Sequence, residues 1–417
     1  MTSTDRQYLP GAGEQVPQTF ARFRTLGPVI PVELPGGVAA WAATTYGAVR
    51  EVLDADKTAF GKHVSHWAAY REGRVPADWL LMPLVQGEHM LMQDGDSHLR
   101  LRRLVGKAFT PARVRALHPF VTELVDGLLD RLADGDGTAD LVPSFTEQLP
   151  TAVICELFGV PDADRAPIRN WTQALFAHTS TPEVTQAAAV GLMGYLHELI
   201  ATKRLTGGED LTAALVRAHD EDDQLTEQEL LDSLWLLLIA GHETSVHMLG
   251  HAIVNLLTNP AERETVAAED RWEAAIEETL RLNPPVAGSL FRYALADIDV
   301  AGVTIPAGDP VLLCIGGAAT DPVRYGADAD EFSVARAQQG HLAFGHGPHF
   351  CIGAPLARLE GEVALSRLFR RFPDLKLSTS ADAVPYSPSF LTYGPLAIPV
   401  QLGTPGSGTT LMKETHR

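Results

Sequence analysis

The spacing of hydrophobic and polar residues along the chain predicts a protein built mostly of helices. Between Pro111 and Leu132, apolar side chains recur every three or four positions, which is the spacing of one buried face on a single helix. The same kind of spacing predicts further helices at 145–158, 163–178, 184–204, 209–218, 271–282 and 352–372. We therefore expect helices to make up the bulk of the fold.

The longest predicted helix covers residues 227–258. Thr226 and Glu229 have the spacing of a capping box, and the apolar run that follows them ends at Pro260. A helix of that length spans about 48 Å at 1.5 Å per residue, enough to cross the molecule. Its most apolar stretch, 234–241, is much shorter than the roughly 20 residues that a membrane-spanning helix needs, so we expect a buried core helix.

Two segments favour strands and turns instead. The first forty residues combine several prolines with a short apolar alternation, which predicts a loop and a small pair of strands. Residues 294–318 alternate β-branched side chains with glycine and proline, the pattern of short strands joined by turns. No linker divides the chain, so we expect one domain over 1–402, mainly α with a small β region, followed by a disordered tail over 403–417.

Charge and cysteine content exclude several classes of function. The 417 residues include 33 Lys and Arg against 52 Asp and Glu, a formal charge of −19, which argues against a nucleic-acid binder. The three cysteines, Cys155, Cys314 and Cys351, are too far apart in sequence for a disulfide framework or a CxxC zinc site. The first residues contain no apolar stretch of the signal-peptide kind, and we expect a cytoplasmic protein.

The most specific motif is FGHGPHFCIG, residues 344–353, which comes directly before the last predicted helix. Gly345 and Gly347 permit a tight turn, and Cys351 lies where the helix presents its free backbone N–H groups. Those donors and the helix dipole favour a thiolate. A thiolate held beside the aromatic rings of Phe344 and Phe350 suits an axial ligand of a haem iron.

This stretch resembles the haem-ligand loop of the cytochrome P450 family of haem-thiolate monooxygenases. Other motifs of that family follow in the expected order: AGHET at 240–244 matches the oxygen-activation motif, and Glu278 and Arg281 in EETLR match its ExxR motif, with Arg336 as the third member of a buried triad. The resemblance covers roughly residues 20–402. It implies the P450 fold, a mainly α triangular prism with a long central helix over the haem.

The resemblance also implies one haem b (iron protoporphyrin IX) with Cys351 as its axial ligand. Thr244 and Glu243 would supply protons for oxygen activation, beside the small residues Ala240 and Gly241. The remaining haem contacts implied by the family motifs are His98, Arg102, Arg292 and His349 at the propionates, and Phe344, Gly345 and Gly353 in the cysteine loop.

Substrate contacts carried over from the family form a mainly apolar set with a few polar members. These residues are His66, Trp67, Met90, Leu236, Leu237, Val286, Ser289, Leu391 and Thr392. Such a site suits a mid-sized hydrophobic molecule, for example a steroid, a polyketide or an aromatic peptide product of secondary metabolism. His66 and Trp67 would bind an aromatic or amide-bearing substrate by stacking or hydrogen bonding.

Electrons are expected from NAD(P)H through a ferredoxin reductase and an iron–sulfur ferredoxin, since the chain shows no flavin or dinucleotide fingerprint of its own. A basic segment in this acidic chain would attract such an acidic partner. Its expected docking residues are Arg100, Arg103, Lys107, Arg113 and Arg115. Arg358, Arg367, Arg370 and Arg371 on the last predicted helix would extend this surface.

The expected reaction is insertion of one oxygen atom from O₂ into a C–H or C=C bond. The nearest alternative is oxidative radical coupling, C–C or C–N, of aromatic or cyclodipeptide-type substrates without oxygen insertion, which the sequence does not separate from it. A third alternative is a peroxide-driven enzyme. Such members of the family typically lack the acid–alcohol pair that Glu243 and Thr244 form here, which argues against this alternative. A fourth alternative is a haem sensor or carrier without catalytic activity. That function does not account for the AGHET motif or for the basic segment.

Overall fold

The computed structural model describes residues 7–9, 15–55, 58–76, 78–79, 81–107, 109–176, 181–220 and 225–406. Helices dominate this part of the chain, as predicted. The helices are α1 (Val16–Leu26), α2 (Tyr46–Asp54), α3 (Ala68–Arg71), α4 (Gly95–Gly106), α5 (Pro111–Ala116), α6 (His118–Ala133), α7 (Gln148–Phe158), α8 (Arg165–Phe176), α9 (Pro182–Thr206), α10 (Leu211–Asp220), α11 (Glu227–Thr258), α12 (Pro260–Glu269), α13 (Trp272–Leu282), α14 (Ile315–Ala319), α15 (Pro322–Tyr325) and α16 (Ala354–Arg371).

The β region is small and consists of short strands. These are β1 (Gln7–Tyr8), β2 (Val29–Leu34), β3 (Val38–Ala43), β4 (Phe60–Gly61), β5 (Thr138–Asp140), β6 (Ser289–Ala294), β7 (Ile298–Val300), β8 (Val303–Ile305), β9 (Pro310–Leu313), β10 (Lys376–Leu377) and β11 (Pro399–Gln401). The largest sheet has the order β1-β2-β3-β9-β6-β4, and two smaller sheets pair β10-β11-β5 and β7-β8. The segment 294–318, predicted as short strands, contributes β7, β8 and β9.

The central helix α11 has the predicted bounds, with its start at the capping box and its end before Pro260. The Thr226 hydroxyl accepts a hydrogen bond from the Glu229 N–H at 3.1 Å, and the Glu229 carboxylate accepts one from the Thr226 N–H at 2.8 Å. These bonds satisfy two N–H groups at the helix start. The helix packs against α7, α13 and α16. Within the described residues, no helix is both long enough and apolar enough to cross a membrane.

The helix predicted from Pro111 to Leu132 is wrong in one respect, because the chain forms two helices there. Helix α5 ends at Ala116, and α6 begins at His118 with Pro119 in its first turn. Proline has no N–H and its ring clashes with the carbonyl four residues earlier, so one helix cannot run through this position. The apolar spacing continues from α5 into α6, so the spacing alone does not indicate the break between the two helices.

The two ends of the chain add further detail to the prediction. The strand pair expected near the start is present as β2 and β3, which pair antiparallel from Val29 opposite Ala43 onwards. Helix α1, which the proline-rich pattern did not predict, precedes it and buries Phe20 and Phe23. At the other end the chain is described as far as Gly406, whose N–H donates to the Arg371 carbonyl at 2.9 Å. The rest of the predicted disordered tail, 407–417, lies outside the described residues.

Candidate active site

Cys351 lies in a tight loop directly before α16. Gly345 and Gly347 both have a φ of 71°, a left-handed conformation that favours glycine, and the Cys351 N–H donates to the Phe344 carbonyl at 2.8 Å. Burial raises the pKa of the Cys351 thiol, while the N–H groups of Gly353 and Ala354 and the guanidinium of Arg102 act in the opposite direction. The loop thus presents the sulfur with donors arranged to stabilise a thiolate.

The Cys351 side chain opens into a cavity of about 310 Å³ beside the central helix. One part of its wall comes from the cysteine loop, including Phe344, Gly345 and Gly353. The opposite part comes from α11, including Leu236, Leu237, Ala240, Gly241 and Thr244. The sequence motifs that lie more than a hundred residues apart therefore meet in one space, which is apolar over most of its surface.

Basic and imidazole side chains line another part of the same cavity. The four residues expected at the haem propionates, His98, Arg102, Arg292 and His349, all line it, together with Lys62. The rings of His98 and His349 lie 4.1 Å apart, and burial and the nearby Arg292 cation lower the pKa of His349. Arg102 donates to the Phe350 carbonyl at 2.6 Å and Lys62 donates to the Leu290 carbonyl at 2.8 Å.

This donor set fits the expected haem. A haem presents an iron, a flat apolar macrocycle and two carboxylates, and the cavity offers a thiol, apolar walls and clustered cations in the same space. Buried cations gain most from an anionic ligand, because charges in a low-dielectric site attract strongly. The residues that would hold the group are Cys351 at the iron and His98, Arg102, Arg292 and His349 at the carboxylates.

The oxygen-activation motif lies on the stretch of α11 that borders the cavity. The Thr244 hydroxyl donates back to the Ala240 carbonyl at 2.6 Å, a common bond for threonine within a helix. Its oxygen then has lone pairs to offer a donor in the cavity, so in this rotamer Thr244 accepts rather than donates. A side chain at Gly241 would come within 2.6 Å of the Ile154 methyl, so glycine here also permits close packing of α7 against α11.

Glu243 turns toward a different neighbour. The Thr392 hydroxyl donates to its Oε1 at 3.1 Å. Burial raises the pKa of Glu243 to about 7, an effect that the hydrogen bond from Thr392 partly offsets. Glu243 is therefore a carboxyl group that can gain and lose a proton near neutral pH.

The predicted triad of Glu278, Arg281 and Arg336 is brought together in the core. The Arg281 guanidinium donates to both carboxylate oxygens of Glu278, at 2.7 and 2.8 Å, and the Arg336 guanidinium lies 3.6 Å from Glu278. Arg281 also donates to the carbonyls of Ala319 and Glu331. These bonds tie α13 to the segment that precedes the cysteine loop.

The predicted substrate residues divide into two groups. Met90, Leu236, Leu237, Val286 and Ser289 line the cavity. The other predicted substrate residues do not line the cavity; these are Trp67, His66, Leu391 and Thr392.

The contacts of these four residues show what their side chains pack against or bond to instead. Trp67 is 1% exposed and packs against Trp79, Phe291 and Tyr293 with ring centroids 5.5 to 5.9 Å away, so it is a core residue. His66 lies 3.6 Å from the Asp94 carboxylate. Leu391 packs against the same core as Trp67, and Thr392 bonds to Glu243.

Sequence reasoning missed two buried polar groups of the cavity wall. Lys62 is 2% exposed, although lysine is usually a surface residue. Glu360 on α16 is also 2% exposed, accepts a hydrogen bond from Ser245, and has its pKa raised to about 8 by burial. Its Oε2 has no hydrogen-bond partner among the described residues. Glu360 follows Cys351 by nine positions, and the apolar spacing of α16 that places it inward was the available signal.

The basic surface is smaller than the sequence suggested. Arg100 forms a two-pronged ion pair with Glu229 and is engaged within the molecule. The arginines of α16 are likewise paired with acids: Arg358 with Glu277, Arg367 with Asp126, Arg370 with Asp270 and Arg371 with Asp130.

Arg103, Lys107, Arg113 and Arg115 are exposed. Gly106 lies near the Ile352 side chain, and α5 packs against α16, so this group of cations lies on the cysteine side of the cavity. We call these four residues the basic patch.

Comparison with known proteins agrees with this geometry. The family model for cytochrome P450 matches residues 192–392. The cytochrome P450 monooxygenase PikC of Streptomyces venezuelae is 41% identical over 393 residues, which cover 92% of this chain and 90% of PikC. Vitamin D(3) 25-hydroxylase of Pseudonocardia autotrophica is 38% identical over 396 residues, which cover 92% of this chain and 93% of that enzyme.

Solved structures show the same relationship. A structure of CYP154C4 from Streptomyces sp. ATCC 11861 superposes with a TM-score of 0.91 at 36% identity, covering 98% of this chain and 100% of the other. Identity at this level over nearly full length carries the cofactor and reaction class as well as the fold. With Cys351, the cation-lined wall and the AGHET helix meeting in one cavity, the chain belongs to the cytochrome P450 family and is a haem-containing monooxygenase.

Proposed function

We propose that this protein inserts one oxygen atom from O₂ into a C–H or C=C bond of a mid-sized, mostly apolar molecule of secondary metabolism. The observation that carries the proposal is the single cavity shared by Cys351, Thr244 and a set of apolar side chains. When bound, the haem supplies the redox-active iron at which O₂ is activated. The protein's own residues bind the substrate, exclude water and deliver protons.

Substrate binding is assigned to the apolar part of the wall. Met90, Leu236, Leu237 and Val286 offer hydrocarbon contact, and Ser289 offers one hydroxyl for a directed hydrogen bond. A relative that is a vitamin D(3) 25-hydroxylase supports a substrate of this size and polarity. Trp67 and His66 have no part in this assignment, because their side chains are engaged elsewhere.

Proton delivery is assigned to three consecutive residues of α11 and their partners. Thr244 borders the cavity, Glu243 before it bonds to Thr392, and Ser245 after it bonds to Glu360. Both carboxyl groups have pKa values raised by burial, to about 7 for Glu243 and about 8 for Glu360, so each can hold a proton at neutral pH. Thr244, whose oxygen can accept a hydrogen bond, would orient the proton-donating group in the cavity while a neighbouring carboxyl replaces the proton used.

Electrons would arrive from a small acidic iron–sulfur ferredoxin bound at the basic patch. Its four cations lie on the side of the cavity from which Cys351 projects, and they are exposed in a chain whose net charge is −19. A local positive surface on an acidic protein attracts and orients an acidic partner.

The first test is the absorption spectrum of the reduced holoprotein with carbon monoxide. Thiolate ligation by Cys351 gives a strongly red-shifted Soret band, and Cys351→Ser should lose it while still folding. Haem bound without the shifted band would overturn both the ligand assignment and the reaction. Titration with apolar candidates, followed by the absorption change, then identifies ligands of the cavity.

The product mass decides between the two outcomes that the sequence left open. A product heavier by one oxygen atom, labelled when ¹⁸O₂ is supplied, supports insertion. A coupled product without added oxygen would overturn insertion in favour of radical coupling.

A further inference from the structure

A partly buried cluster of charged and polar side chains lies directly behind the cysteine loop. The Glu277 carboxylate on α13 accepts two hydrogen bonds from Arg358 on α16, at 2.6 Å from Nε and 3.1 Å from Nη2. His341 lies on the other side, with its Nε2 3.3 Å from the same carboxylate. The exposed fractions of these side chains are 6% for His341, 18% for Glu277 and 32% for Arg358. None of the three has a part in the function proposed above.

The hydrogen bonds define how the three side chains are oriented. The Ala343 N–H donates to Nδ1 of His341 at 3.2 Å, so this nitrogen is the acceptor and Nε2 carries the hydrogen that faces Glu277. Burial raises the pKa of Glu277. The hydrogen bonds from His341 and Arg358 outweigh this effect and lower the pKa of Glu277 to about 2. The cluster therefore holds a carboxylate and a guanidinium that balance each other, and an imidazole whose Nε2 faces the carboxylate and orients it.

Arg358 connects this pair to the cysteine loop. Its guanidinium lies 4.7 Å from the centre of the Phe344 ring, within the range of a cation–π contact. Phe344 in turn accepts the Cys351 N–H at its carbonyl, at 2.8 Å. The positive charge of Arg358 also favours a thiolate at Cys351, since it acts to lower the pKa of that thiol.

We propose that Glu277 is a positioning residue which, with His341, holds Arg358 against Phe344, and that the Glu277–Arg358 pair thereby sets the reduction potential of the haem bound through Cys351. This inference rests on the proposed function, in which Cys351 is the axial ligand and the haem takes one electron at a time from a ferredoxin. Arg358 is not part of the basic patch proposed to bind the ferredoxin, because its guanidinium is paired with Glu277.

Electrostatics gives the two halves of the pair opposite effects. One-electron reduction of the ferric haem–thiolate unit adds one negative charge, with the electron supplied by the reduced ferredoxin. Loss of the Glu277 charge leaves Arg358 uncompensated, which favours the reduced form and raises the potential. Loss of the Arg358 charge leaves Glu277 uncompensated and lowers the potential. A residue that served only to hold the loop in place would not produce opposite signs.

The experiment is dye-mediated redox titration of the holoprotein, followed by the haem spectrum without substrate or ferredoxin. Glu277→Gln should favour reduction by about threefold or more, a rise of about 28 mV for a one-electron couple. Arg358→Gln should disfavour it by a similar factor, while Arg358→Lys, which keeps the charge, should stay within twofold of the wild type. The double variant of Glu277→Gln and Arg358→Gln should return close to the wild-type potential.

Two charge removals on α16 serve as controls. Glu362→Gln removes an exposed carboxylate, and Arg367→Gln removes a guanidinium that is paired with Asp126. Each should shift the potential by less than half as much as the corresponding variant of the pair.

Shifts of the same sign in Glu277→Gln and Arg358→Gln, or shifts below twofold in both, would overturn the inference. If Glu277→Gln does not retain haem, the comparison of Arg358→Gln with Arg358→Lys decides the same question. Loss of haem from all variants of the pair, with the controls intact, would assign the cluster to folding alone and also overturn it. A missing red-shifted carbon monoxide band in the wild type would instead contradict the proposed function.

Discussion

The Thr392 hydroxyl donates a hydrogen bond to Oε1 of Glu243 at 3.1 Å, although the two residues are 149 positions apart in the chain. Thr392 also pairs with Val286 in an isolated β-bridge, and Val286 lines the cavity. A candidate proton carrier on α11 and a wall of the candidate substrate site are therefore connected through one threonine.

This connection predicts a shift in the pH profile of turnover. Thr392→Val removes a donor to the charged form of Glu243, so the pKa of Glu243 should rise above its value of about 7. If Glu243 donates the proton, the alkaline limb of the turnover rate should move to higher pH in this variant. The rate would be measured against pH with a substrate identified by spectral titration. Thr392→Ser keeps the hydroxyl and should leave the limb in place, and an unmoved limb in Thr392→Val would remove Glu243 from proton delivery.

Thr244→Ala should uncouple electron consumption from product formation. Loss of a group that orients proton transfer should reduce product per NAD(P)H by about tenfold or more, with the missing electrons recovered as peroxide. Product, NAD(P)H and peroxide would be measured together, with Thr244→Ser as the control that retains the hydroxyl. Unchanged coupling in the alanine variant would mean that the substrate supplies its own proton path.

Glu360 should make the stability of the protein depend on pH. Its pKa in the folded state, about 8, is above the ordinary value of 4.5, so the folded state binds the extra proton and is stabilised at low pH. This stabilisation is complete below about pH 4.5 and is lost as the pH rises through 8, at a slope of at most about 1.4 kcal/mol per pH unit.

Glu360→Gln should flatten that part of the profile, as measured by unfolding temperatures between pH 5 and 9. Glu362→Gln, two positions later and exposed, should leave the profile unchanged. Parallel profiles for Glu360→Gln and the wild type would show that Glu360 is ionised throughout.

Arg281→Gln should destabilise the protein strongly. Arg281 and Glu278 are 2% and 0% exposed, and removal of one partner leaves a buried charge uncompensated, at a cost of about 3–5 kcal/mol. Arg370→Gln breaks an exposed pair with Asp270 and should cost less than about 1 kcal/mol. Chemical denaturation of both variants provides the comparison, and equal costs would contradict the role of the triad in the core.

Charge reversal at the basic patch should slow electron transfer from ferredoxin. The double variant of Arg113→Glu and Arg115→Glu should lower the association rate by about tenfold at low ionic strength, with a smaller effect as salt screens the charges. Stopped-flow reduction by ferredoxin measures this rate, and Arg74→Glu, an exposed arginine outside the patch, is the control. An association rate equal to that of the wild type at low salt would place the docking site elsewhere.

Features that depend on neighbours in sequence were predictable from the chain alone. The start of α11 follows from a capping box formed within four residues, and the cysteine loop follows from two glycines whose left-handed backbone the motif requires. The ExxR pair is predictable for the same reason, since residues three apart share one helix face. Fold class, family and cofactor all depended on these local signals.

The tertiary structure alone decided which side chains meet across the fold. Trp67 packs in the core and does not line the cavity. Arg100 forms an ion pair with Glu229, and Arg358 forms one with Glu277. In the pairs that join Arg358 to Glu277 and Thr392 to Glu243, the residues are 81 and 149 positions apart. Their contact depends on how helices and loops pack, because the spacing of residues within one element determines which face a side chain occupies but not which element covers that face.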